Sequence, residues 1–83
     1  DTEVQPLEMH PTPFSQLLYI HAENVERPYS MMVLNMLGQV VYKAGDLRQE
    51  RAILQRGGLP SGLYSVVIQD AKGRRYVGKV VAE

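Results

Sequence analysis

Residues 63–69 alternate strictly: Tyr64, Val66 and Ile68 fall on one side, and Leu63, Ser65 and Val67 on the other. Successive side chains of a strand point to opposite faces, so this period of two requires β-structure with one face turned to a core. The same period recurs almost everywhere in the 83 residues, and no stretch repeats at 3.6. Gln16–Ala22 predicts a strand with Leu18 and Ile20 on one face and Leu17 and Tyr19 on the other. Tyr29–Met36 is apolar on both faces, which predicts a central strand buried on both sides or one covered partly by a partner. Leu37-Gly38-Gln39 predicts a turn, with Gly38 supplying the left-handed backbone that other residues resist. Val40–Lys43 returns as a strand, and Ala44–Asp46 turns the chain again. Gln49–Gln55 carries charge along its length and reads as an edge strand.

A loop dense in Gly and Pro, residues 56–62, precedes the alternating strand. Asp70-Ala-Lys-Gly73 then makes a hairpin turn into Arg74–Ala82. Six or seven short strands without a helix predict one all-β domain, a small antiparallel sandwich or barrel. The sequence's final strand, with Val77, Val80 and Val81, must be either paired in a sheet or presented to another protein. Asp1–Met9 shows no strong pattern and reads as a linker or arm. Pro11 and Pro13 fix an extended, turn-prone backbone ahead of Phe14, the one Phe, which is expected to plug an end of the core.

Composition narrows the chemistry. There is no Cys, which removes disulfides, thiolate ligands and cysteine catalysis. No apolar run approaches the ~20 residues of a membrane span, and no signal peptide opens the sequence. Net charge is zero, with five acids and no Lys or Arg in residues 1–26, and nine bases against four acids thereafter. Those bases sit in turns or alternate with apolar residues, so they read as solvated faces and not as a nucleic-acid surface.

His10 and His21 lie in different elements without a third ligand at metal spacing, so no metal site is expected. Ser30 lacks elbow glycines, Ser61 sits in a breaker loop, and Gly57-Gly58 has no following lysine and helix. No enzyme activity and no cofactor are expected. Asp1, Glu3, Glu8 and Glu23 lack the dense spacing of a calcium cage. Tyr19, Tyr42 and Tyr64 are expected in the core. Met31, Met32 and Met36 are expected to fill the core or to form an exposed strip against a partner.

Four motifs, in order, carry a resemblance: Pro11-Thr-Pro13-Phe14 before Leu18-x-Ile20; Leu34-Asn-Met-Leu-Gly38-Gln-Val-Val41; Leu59-Pro-Ser-Gly62-Leu-Tyr64; and Gly78-Lys79-Val80-Val81. Over residues 10–83 this pattern resembles the C-terminal sorting domain of the type IX secretion system of the Bacteroidetes. Thr12 stands where that family often has Asn, Leu63 replaces Val or Ile, and Ala82-Glu83 is a less basic end. The resemblance implies a seven-stranded immunoglobulin-like sandwich that directs an N-terminal cargo from the periplasm across the outer membrane. A surface sortase-like protease would then cleave near residues 1–9 and leave the cargo at the cell surface.

It further implies that Gly62 and Gly78 are backbone devices and that Tyr64 and Val80 anchor the core. Lys79, Val81 and Glu83 would form the tip read by the translocon, and a sheet edge could pair a second copy. Two other readings are an uncleaved accessory domain of the secretion machinery and an adhesive or carbohydrate-associated module. The absence of Trp speaks against glycan binding.

Overall fold

In the computed structural model, which describes residues 4–83, eight strands form two sheets and no helix occurs among the described residues. The strands are β1 (Val4–Pro6), β2 (Met9–His10), β3 (Leu17–His21), β4 (Tyr29–Leu34), β5 (Val40–Leu47), β6 (Arg51–Gln55), β7 (Gly62–Gln69) and β8 (Arg75–Ala82). One sheet has the order β1-β8-β7-β4-β5 and the other β2-β3-β6. All neighbours are antiparallel except β1, which lies parallel to β8. The all-β sandwich expected from the period of two is present.

The core follows the alternation. Tyr64, Val66 and Ile68 of β7 point inward, opposite Leu18 and Ile20 of β3 and Ala52 and Leu54 of β6. Val80 and Ala82 of β8 join them, and Phe14 is fully buried at one end. Burying such a set removes apolar surface from water at roughly 25 cal/mol per Å². A chain this short has little other source of stability.

Several expectations are corrected. The stretch read as a linker, residues 1–9, holds two short strand segments: Val4, Gln5 and Pro6 pair with Arg75, Tyr76 and Val77, and beyond Leu7 and Glu8, Met9 pairs with Ile20. Asp1, Thr2 and Glu3 lie outside the described residues. The turn expected at Ala44–Asp46 is a bulge inside β5, between the pairs Tyr29↔Leu47 and Met31↔Ala44, with Asp46 at φ 55°. A bulge absorbs an extra residue without ending the strand, so turn-forming residues gave the wrong signal.

The second expected strand stops at Leu34 and buries alternate residues only, Tyr29, Met31 and Val33. Met36 lies in the turn and is 76% exposed. Tyr42 is 40% exposed on the edge strand β5 and Tyr19 is half-buried; the tyrosines that join Tyr64 in the core are Tyr29 and Tyr76. The final strand is not a sheet edge. β8 lies between β7 and β1.

Candidate functional site

Much of the sorting motif gathers at one end of the sandwich. Gly62 pairs with Ala82 and Tyr64 with Val80 across the β7–β8 ladder. Tyr64 is buried and its hydroxyl donates to the Pro60 carbonyl at 2.6 Å, closing the breaker loop onto its own strand. A buried hydroxyl needs such a partner, and Pro60 can offer only its carbonyl. Gly62, at φ 154°, opens β7 beneath this loop.

Phe14 completes this end. It forms a parallel bridge with Ala82: the Phe14 N–H donates to the Val81 carbonyl, and the Glu83 N–H donates to the Phe14 carbonyl, both at 3.0 Å. The last residues of β8 are therefore held on both sides. Val80 and Ala82 are buried, whereas Lys79, Val81 and Glu83 present side chains to solvent. The tip expected from the sequence is exposed through its side chains only, because its backbone is engaged. Pro11 and Pro13 are exposed and set the path into Phe14.

Gly38 lies across a cleft from this end. Asn35 organises its turn: Asn35 Oδ1 accepts from the N–H groups of Leu37 and Gln39, Asn35 Nδ2 donates to Gln39 Oε1, and the Gly38 N–H donates to the Asn35 carbonyl. Gly38 takes φ 80°, which a side chain would resist. The turn faces Gly62, Leu63 and Tyr64 over an open cavity of about 230 Å³.

Gly78 sits apart, under the N-terminal strap. A Cβ there would stand 2.6 Å from Met9 Cε, 3.1 Å from the Leu7 carbonyl oxygen and 3.2 Å from Leu7 Cβ. Met9 can swing away, but the Leu7 backbone cannot do so without loosening β1. Gly78→Ala should therefore cost about 1–2 kcal/mol. Amide exchange at Val4–Pro6 should rise with it. Unchanged protection there would show that the strap tolerates a side chain.

Sequence reasoning missed two groupings. His10 and His21 are brought together across β2 and β3, with His21 Nε2 3.0 Å from His10 Nδ1 and Glu23 Oε2 3.4 Å from His21 Nδ1. The cue lay in the pairing of the supposed linker, which their separation of eleven residues concealed. Among the described residues no three metal-ligating side chains converge.

The other grouping surrounds Asp70, whose role reaches beyond opening a turn. Its Oδ1 accepts from the N–H groups of Lys72 and Arg74, and its Oδ2 from Arg74 Nε at 2.9 Å and the Tyr76 hydroxyl at 3.4 Å. Burial alone would raise its pKa. The bonds from the Arg74 and Lys72 backbones and the Arg74 guanidinium outweigh that and hold it below its ordinary 3.8.

A family model described as a secretion system C-terminal sorting domain matches residues 8–83. The chain belongs to this family. The sorting domain carries the C-terminal signal for type IX secretion, directing cargo across the outer membrane to the cell surface or beyond. No curated protein matches the chain. Among solved structures it is similar to a DUF3244 family protein from Bacteroides vulgatus with an immunoglobulin-like β-sandwich fold. The TM-score is 0.77 at 17% identity, over 95% of this chain and 86% of that one. At that identity the likeness shows the fold: the sorting domain is an immunoglobulin-like sandwich.

Proposed function

We propose that this sorting domain acts as a folded signal whose readable part is the end of the sandwich built by Phe14, Tyr64 and the tip of β8. The observation that carries this is the double-sided hold on β8 by β7 and Phe14. It fixes the directions in which Lys79, Val81 and Glu83 project. In this reading a cargo precedes the domain, passes through the periplasm, and is released by a surface protease that cuts on the N-terminal side. In this reading the domain performs no chemistry itself, and Ser61 serves its loop by accepting a hydrogen bond from Arg56.

The test fuses residues 1–83 to a periplasmic reporter in a type IX-competent bacterium. The fusion should reach the surface. The combined variant Lys79→Ala, Val81→Ser, Glu83→Ala leaves the buried Val80 and Ala82 alone, and should be retained while keeping its melting temperature. Export of that variant at the original level would remove the tip from the signal.

A second copy pairing through a sheet edge, which the sequence left open, would have β5 as its longest available edge. Two register shifts and a central Lys43 blunt that strand. We therefore propose a monomer. Sedimentation at ~100 μM, a concentration at which a weak edge contact would populate a dimer, should give a single species of one chain's mass.

A further inference from the structure

The outer face of the five-stranded sheet has the wrong composition for a surface that meets only water. Solvated antiparallel faces are usually polar. Here Met32, Val67, Val77 and Pro6 lie in one row across four strands, since Met32 pairs with Val67, Val67 with Val77, and Val77 with Pro6. Leu63 and Val81, paired with each other, extend the apolar surface toward the signal end, and both are well exposed.

Cations frame this floor. Lys43 ends the row beside Met32, while Arg75 and Lys79 flank Val77 along β8. Lys43 and Arg75 face each other across an open groove of about 280 Å³ floored by Met32 and Val67. None of the three cations makes an ion pair or side-chain hydrogen bond among the described residues. The strands β1, β4, β7 and β8 carry no carboxylate; on β5, Asp46 is already paired with Arg48 at 3.0 Å, and Glu83 lies one residue beyond β8.

We infer that this face is a docking surface for a protein component of the export machinery that presents apolar side chains interspersed with carboxylates; the inference rests on the type IX reading. Unpaired cations beside exposed aliphatic residues are complementary to such a partner. A second copy would set Lys43, Arg75 and Lys79 against the same charges. A bilayer fits less well: the cations are interleaved with the apolar rows, and among the described residues no aromatic one lies on this face as an interfacial anchor, since Tyr42 at the sheet's edge pairs with the buried Val33 and belongs to the other face.

The test is charge reversal in the same reporter fusion. The face variant combines Lys43→Glu and Arg75→Glu, leaving Lys79 of the tip unchanged. A control of equal charge change combines Arg51→Glu and Lys72→Glu, away from this face. Both purified variants should melt as cooperatively as the parent. The face variant should lower exported reporter by about tenfold or more, and the control by less than about twofold.

Equal export of both variants would overturn the docking surface and leave the sorting role standing. Equal loss in both would assign the effect to net charge and also overturn it. A parent fusion that is never exported would remove the sorting role, and this inference with it. Vesicles containing ~30% phosphatidylglycerol provide a second readout. Sedimentation of the parent with them, abolished in the face variant, would assign the face to lipid and overturn the proposal.

Discussion

Phe14→Ala is expected to lower stability by about 3–5 kcal/mol, the cost of emptying a fully buried aromatic site. For a domain of this size that is more than ~12 °C in melting temperature and a large fraction of total stability. The loss has a local component that a generic core mutation lacks. Phe14 carries the backbone groups that bond Val81 and Glu83. As residues 11–16 loosen, amide exchange at Phe14 and Glu83 should speed up before the β7–β8 ladder opens. Phe14→Leu, which keeps most of the volume, should cost less than ~1.5 kcal/mol and preserve that protection. A melting shift of only a degree or two in Phe14→Ala would mean that another side chain plugs this end.

Asp70→Ala should cost about 2–3 kcal/mol, because it leaves two N–H groups and a guanidinium without their acceptor. The site also ties the β7–β8 turn to the loop before β4. Ala71 donates its N–H to the Glu26 carbonyl, and Arg74 lies 3.9 Å from Glu26. The depressed pKa adds a dependence on pH. A carboxyl whose folded value lies below its unfolded value binds fewer protons in the native state. Its contribution is fully present above the unfolded value of ~4 and is lost as pH falls through the lower folded value. The parent's melting temperature should therefore fall more steeply below about pH 4 than that of Asp70→Asn. Parallel curves would show that the carboxylate's charge contributes nothing.

What the sequence disclosed and what it hid follow from one physical distinction. Elements whose side chains alternate over a long run could be read directly. β7 announces Tyr64, Val66 and Ile68 as core, and β3 announces Leu18 and Ile20. Elements held by backbone pairing alone leave little trace. Val4–Pro6 is three residues long, contains a proline and buries no large side chain, yet it borders β8. The bulge at Gly45-Asp46 is spelled with turn residues, so the length of β5 was hidden. Within the motif, Phe14, Tyr64 and Val80 were legible as anchors because they are large and apolar. That Phe14 also engages the backbone of the tip could not be read, since any residue can make those bonds. The terminal strand posed a choice between paired and presented, and the structure resolves it by atom type: the backbone is paired and alternate side chains are presented.

The parallel arrangement of β1 and β8 has a mechanical consequence. Val4 lies beside Arg75, at the start of β8, while Glu83 lies at the far end of that strand, about 25 Å away at the rise of an extended chain. A load applied between Val4 and Glu83 runs along both strands. It strains their cross-links together, in shear, instead of peeling them one at a time. A domain hauled by its tip with a burden in tow would resist being pulled open along the direction of haulage.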